Sequence, residues 1–181
     1  MKTFIALLRG INVGGHRKIE MAALRALGTE LGFGAVQSYI QSGNLVFTST
    51  DTAAAIEASL DSAIADRFGF PVEVLVRPAD AWPALIQGNP FPKACADEPN
   101  LVMMALAKRP PNKEAADALR ERAAAGERIA TAGEALWIHY PEGVARSKLS
   151  PALIDRLVGS PVTARNWRTV LKLAELAGVS V

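Results

Sequence analysis

Three polar segments hold the side chains best suited to chemistry on a ligand. They are Arg9-Gly10-Ile11-Asn12-Val13-Gly14-Gly15, Tyr39-Ile40-Gln41-Ser42-Gly43-Asn44 and Thr163-Ala164-Arg165-Asn166-Trp167-Arg168-Thr169. Each sets amides, hydroxyls or arginine beside glycine or an aromatic. Such groups donate hydrogen bonds to a polar or anionic ligand, and a guanidinium fork matches a carboxylate or a phosphate.

The first segment has the G-x-x-x-x-G spacing of a phosphate-binding loop, from Gly10 to Gly15. Such a loop continues with Lys and then Ser or Thr; here those positions are His16 and Arg17. The lysine that reaches the phosphates and the hydroxyl that binds magnesium are both missing. No G-x-G-x-x-G is present either. What survives is Gly14 and Gly15 exposing backbone N–H groups ahead of a helix, with Arg17 and Lys18 beside them, which favours an anion. The competing reading is a tight turn that needs glycine for positive φ.

In the second segment, strand alternation puts Tyr39 and Gln41 on one face, opposite Ile40. A phenol and an amide then project together, next to Ser42 and Asn44. The alternative is a turn in which Ser42 and Asn44 bond their own backbone. In the third, Asn166 is placed to cap a helix. If Arg165, Arg168 and Lys172 are all helical they share part of one face, with Thr169 completing the polar set. The alternative there is that Trp167 anchors the helix while the arginines pair with acids such as Asp155.

Catalytic machinery is sparse. Cys95 is the single cysteine, and His16 and His139 are the only imidazoles. Nothing in their spacing brings a thiol to a base. There is no G-x-S-x-G elbow and no His/Asp/Glu cluster with metal-ligand spacing, so neither a metal nor a cofactor is expected.

The elements that must position these segments follow from periodicity. The run after Thr3 to Leu8 is continuously apolar, as in a strand buried on both faces. Met21, Leu24, Leu27 and Leu31 fall at helical spacing over about Glu20–Leu31. Two short strands, Val36–Ile40 and Leu45–Thr48, flank Ser42-Gly43-Asn44 as a hairpin turn. Ile56, Leu60, Ile64 and Phe68 mark a second helix, and Val72, Val74 and Val76 alternate as a half-buried strand. The order is β-α-β-β-α-β, the ferredoxin-like order.

The second half repeats that pattern without visible residue identity. Its parts are a strand Leu101–Ala107, a helix from Asn112 to about Ala125, strands Arg128–Thr131 and Leu136–Tyr140, and a helix Ser150–Val158. A short strand Val162–Ala164 and a closing helix Trp167–Ala177 end it. The boundary falls in Gly88-Asn89-Pro90-Phe91-Pro92 and the polar stretch after it. This predicts an α+β chain of two ferredoxin-like (α/β-plait) subdomains, 1–88 and 89–181.

Half of the 181 residues are hydrophobic and the formal net charge is +2. Six of the basic residues (Arg146, Lys148, Arg156, Arg165, Arg168, Lys172) fall within 143–172 with Asp155 as the sole acid, a cluster able to attract an anion. The low aromatic content, 6%, and the apolar central strands argue against an open sheet that stacks bases. No run reaches the length of a membrane span, and no secretory leader is recognisable. A cytoplasmic protein with no membrane partner is expected.

At its three segments the sequence resembles the bacterial family catalogued as domain of unknown function 1697. That family opens with a strand and Arg-Gly-Ile-Asn-Val-Gly-Gly, present as Arg9–Gly15. It continues with Tyr-Ile-Gln-Ser-Gly-Asn, present as Tyr39–Asn44, and carries Thr-x-Arg-Asn-Trp-x-Thr near its end, present as Thr163–Thr169. Asn89-Pro90-Phe91 and Ser147-Lys148-Leu149 also match. Arg168 departs from the asparagine expected there. The resemblance implies two ferredoxin-like subdomains and assigns no activity.

The functional expectation is a protein that binds a polar or anionic ligand, a nucleotide or nucleic-acid phosphate, in a cleft between the subdomains. Its lining is expected from Arg9, Asn12, Gly14, Gly15, Arg17, Lys18, Tyr39, Gln41, Ser42, Asn44, Arg165, Asn166 and Thr169. Two other readings use the same residues. One is an enzyme drawing its base from Lys18, Tyr39 or a bound water. The other is a structural lock in which the motifs join the two half-domains.

Overall fold

In the computed structural model, which describes residues 1–180, the apolar run after Thr3 forms β1 (Lys2–Leu8). Residues Phe4 to Leu8 are buried whichever way they point, so both faces of this strand are covered. Helix α1 (Met21–Glu30) buries Met21, Leu24 and Leu27 of the predicted stripe, while Leu31 falls just past its end and is half-buried. Strands β2 (Gly34–Tyr39) and β3 (Asn44–Ser49) form a hairpin. Helix α2 (Ala53–Phe68) starts where Thr52 Oγ1 accepts a hydrogen bond from Ala55 N and stops at Gly69 in the left-handed conformation. β4 (Val74–Pro78) follows.

The four strands make one sheet, ordered β2-β3-β1-β4, with every neighbour antiparallel. Phe4, Ala6 and Leu8 form a core with Leu24 and Leu27 of α1 and Ile56, Leu60 and Ile64 of α2. Two short helices come next, α3 (Trp82–Gln87) and α4 (Pro92–Asp97).

The pattern then recurs: β5 (Val102–Ala107), α5 (Lys113–Arg120), β6 (Arg128–Ala132), β7 (Ala135–His139), α6 (Pro151–Val158) and β8 (Val162–Asn166), followed by α7 (Trp167–Leu176). The second sheet has the matching order, β6-β7-β5-β8. Its core includes Ala105, Leu119, Leu136, Ile138, Tyr140 and Ile154. The chain is α+β with two ferredoxin-like repeats. By contacts it divides into two units, Met1–Pro83 with Leu173–Ser180, and Ala84–Lys172. No helix among the described residues is long and apolar enough to cross a membrane.

The repeat, a pattern only in the sequence, reappears in side-chain roles. Val74 N donates to Asp61 Oδ1 at 3.0 Å and Val162 N donates to Asp155 Oδ1 at 2.9 Å. Arg77 and Arg165 occupy matching edge-strand positions, opposite Ile5 and Met104. Each donates Nη1 to the carbonyl of the preceding residue, at 3.0 and 2.9 Å. β4 and β8 are sheet edges. A helix carboxylate on an outward N–H blocks an edge that could otherwise pair with another strand.

Three elements differ from the sequence reading. The polar stretch after Gly88 contains α4, which begins with Pro92 at a position where a missing N–H costs nothing. The helix after Asn112 ends at Arg120, well short of Ala125. The amides of Ala124 and Ala125 turn instead to the Glu127 carboxylate, at 3.1 and 2.8 Å. Arg165 lies on β8, not on a helix, so it does not share a helical face with Arg168 and Lys172. Pairing with β5 at Met104 holds it extended.

Glu127 is buried and also accepts from Ser147 Oγ. Burial by itself raises its carboxyl pKa, but the bonds from Ser147 and from the amides of Ala125 and Ala124 hold it below its ordinary value. A carboxyl depressed in the folded state stabilises above its unfolded pKa. That contribution is lost as pH falls through the folded value. Glu127→Gln is therefore expected to flatten the acid limb of a Tm-against-pH profile; an acid limb as steep as the parent's would exclude this role.

Candidate functional site

The first segment is a small exposed hairpin between β1 and α1. Asn12 N donates to Arg17 O at 3.1 Å and His16 N donates to Val13 O at 3.0 Å. Gly14 and Gly15, the two central residues, both have positive φ, 58° and 78°. That is the conformation of a type I′ turn, which glycine adopts without steric cost. Asn12 (φ 55°) and Arg17 (φ 50°) flank it, also left-handed. The glycines thus build a turn that stands six residues ahead of α1, rather than a cradle fused to its first turn.

Asn12 ties this hairpin to its surroundings. Its Nδ2 donates to Ile19 O at 3.0 Å and to Gln41 O at 2.8 Å, and its Oδ1 accepts from Ile19 N at 2.9 Å. One side chain thereby fixes the start of α1 and the β2–β3 turn together. In that turn the last strand pair is Tyr39 with Asn44, so the loop is Ile40 to Gly43. Ile40 is left-handed, with φ 50°. This breaks the alternation that would have put Tyr39 and Gln41 on one face. Asn44 is fully buried, and its amide donates to Tyr39 O at 2.8 Å and to Ser42 Oγ at 3.0 Å. Gly43 O accepts from Leu8 N at 2.8 Å, docking the turn on β1.

Asn12, Gly15, Lys18, Ile19, Glu20 and Gln41 line one open pocket of about 340 Å³. Four of them, Asn12, Gly15, Lys18 and Gln41, are among the residues expected from the sequence. Asn12 spends its side chain on the scaffold, whereas Lys18 and Gln41 are exposed and their side chains have no polar partner among the described residues. The Arg17 guanidinium folds back over Gly10: a β-carbon there would sit 3.9 Å from its Nη1. Glu20 precedes α1 without capping it, so the first-turn amides of α1 have no side-chain acceptor. A helix start in that state attracts negative charge. Ile19 and Glu20 were not expected here. Their only signal in sequence is their place between the glycine loop and the helix.

Arg9 is half-buried at the end of β1, and its N–H donates to Glu73 O at 3.0 Å. Arg165, Asn166 and Thr169 belong to the second unit. Asn166 Oδ1 accepts from Thr169 N at 2.9 Å, the predicted cap of α7, and Thr169 is buried. Arg165 is buried as well, and loss of solvent pulls its pKa down to about 10.

The second unit also holds a polar cluster that the sequence does not signal. Arg128 Nε and Nη2 lie 3.2 and 3.1 Å from His139 Nδ1, and His139 Nε2 lies 2.9 Å from a Glu98 carboxylate oxygen. Two guanidinium N–H groups converge on Nδ1, which assigns the lone pair there and the proton to Nε2. The same guanidinium lies 5.0 Å from the Phe91 ring centre, a cation–π contact. The cluster fastens both ends of α4 to the β6–β7 hairpin. Cys95 lies between them, buried, and accepts from Asn89 Nδ2 at 3.1 Å. Burial pushes its thiol pKa up, which disfavours the thiolate a nucleophile needs.

A family described as "Protein of unknown function (DUF1697)" matches residues 1–137, a span that contains the first two segments. A solved structure described as conserved bacterial protein SP0830 from Streptococcus pneumoniae is similar over 97% of this chain and 98% of that one. Its TM-score is 0.76 and its identity 24%, a likeness of fold alone. No curated protein matches the sequence.

Proposed function

The chain belongs to the DUF1697 family, and from that premise we propose that it binds a phosphate-bearing ligand at the pocket between the Asn12–Lys18 hairpin and Gln41. The observation that carries this reading is the pocket's mix of groups. An uncommitted ammonium and amide, Lys18 and Gln41, meet the uncapped start of α1. Each favours an anion. The Arg17 guanidinium stands on the same hairpin. Asn12 and Asn44 serve as organisers of the two loops, which accounts for their motifs without ligand contact.

Glu20 is the one carboxylate in the lining and opposes an anion. Its presence sets up a two-sided test. Titration with pyrophosphate, followed by calorimetry at low ionic strength, is expected to show Lys18→Ala weakening affinity about five- to tenfold and Glu20→Gln strengthening it by a smaller factor. Unchanged affinity in both variants would leave the pocket without a ligand role.

A further inference from the structure

We propose that the ligand is a nucleoside phosphate whose base rests on Ile40 and Val13; this rests on the phosphate reading above. Ile40 carries the argument. It is β-branched, left-handed at φ 50° and 48% exposed. A β-branched residue at positive φ is a genuine outlier, because its side chain crowds the following carbonyl. A position like this is relaxed by Gly or Asn, as Gly43 and Asn12 illustrate in the same two loops. An exposed apolar side chain held in a strained conformation contributes little to the core. Strain of that kind gathers at sites of binding.

Val13 supplies the second observation. It is 66% exposed at the hairpin, so the two loops present an apolar side chain each. Val13 adjoins Asn12 and Ile40 adjoins Gln41, both pocket-lining residues, and Asn12 Nδ2 bonds Gln41 O at 2.8 Å. Each of these exposed apolar residues is thus the chain neighbour of a residue lining a pocket that carries cationic and amide donors. A bare phosphate leaves the apolar pair unused. A nucleoside phosphate uses both, laying a flat base on the aliphatic groups and its phosphate near Lys18. At about 340 Å³ the pocket lies at the small end of ligand sites, the scale of one nucleotide unit. That unit is either a free nucleotide or one link of a single strand.

The test compares pyrophosphate, AMP, UMP and an oligouridylate of about ten nucleotides, a length within known single-strand site sizes. The parent protein is expected to prefer AMP or UMP to pyrophosphate. Ile40→Gly is expected to lose about three- to tenfold in nucleotide affinity with pyrophosphate affinity unchanged, from the apolar area withdrawn. The same variant is expected to raise Tm by about 2–4 °C as the left-handed strain is relieved. Gain of stability with loss of affinity separates a binding role from a structural one. Tighter, salt-dependent binding of the oligonucleotide identifies a strand as the source; equal affinity identifies the free nucleotide, and both support the proposal. Ile40→Gly binding nucleotides like the parent overturns it, while a loss in Lys18→Ala keeps the phosphate reading. A lower Tm in both Ile40→Gly and Ile40→Asn overturns it too, by giving Ile40 a packing role. If the parent binds none of the four probes, both readings fall.

Discussion

Gly43→Ala is expected to destabilise the protein by about 2–5 kcal/mol, the sum of a left-handed penalty and overpacking. Gly43 has φ +83°, and a β-carbon added there would lie 2.7 Å from Ile11 Cδ1 and 2.8 Å from Leu8 Cβ. Leu8 and Ile11 are both core residues with almost no exposure, so neither can retreat into solvent. The turn cannot simply lift away, because Gly43 O accepts from Leu8 N at 2.8 Å. Gly32 provides the matched control: its φ is +85°, and nothing lies within 4 Å of a β-carbon built there. Gly32→Ala therefore carries the conformational penalty alone, about 1–2 kcal/mol. Denaturant unfolding of the two variants isolates the crowding as the difference between them. Equal losses would show that the turn yields and that close approach to β1 is not what glycine serves.

Asn12→Asp should lose about 1–3 kcal/mol near neutral pH and regain part of it in acid, since the part-buried Ile19 carbonyl is stranded while the Gln41 carbonyl stays open to water. The substitution keeps the acceptor that meets Ile19 N at 2.9 Å. It replaces the amide that donates to Ile19 O and Gln41 O with a carboxylate oxygen, about 3 Å from two carbonyl oxygens. Facing two acceptors, the ionised form is disfavoured and the folded pKa rises. A carboxyl with a raised folded pKa takes up a proton on folding, so stability climbs as pH falls through that value toward the unfolded one. Once protonated it can restore one of the two donated bonds. Asn12→Ala has no such recovery. Tm measured from neutral pH to about pH 4, near the reference aspartate value, distinguishes them. Parallel profiles for the Asp and Ala variants would mean that the donor bonds carry little of the loop's stability.

Much of the fold is legible in order and period. The stripe Met21, Leu24, Leu27 and the stripe Ile56, Leu60, Ile64 give the two helices of the first repeat. Asn112 starts its helix where the sequence places it, and Thr52 and Ser150 cap theirs in the same way, since capping depends only on a residue and the amide three positions on. Where reading fails, a partner outside the element decides. The helix after Asn112 stops because the Glu127 carboxylate, itself fixed by Ser147, captures two amides. Arg165 is extended because β5 pairs with it. The equivalence of Asp61 with Asp155 is invisible until both are seen bonding an edge-strand amide.

The sequence by itself determined the α+β class, the doubled β-α-β-β-α-β order and three polar segments worth inspecting, two of them loops, because periodicity and glycine placement are local properties of the chain. Only the tertiary structure decided what those loops do with their polar groups. It spends Asn12 and Asn44 on holding the loops together and leaves Lys18 and Gln41 uncommitted beside a helix start. It also gives Ile40 a left-handed conformation that no propensity favours. The physical reason is that a side chain's partner is set by which backbone groups are brought within 3 Å or so of it, and here those groups come from positions up to 29 residues away.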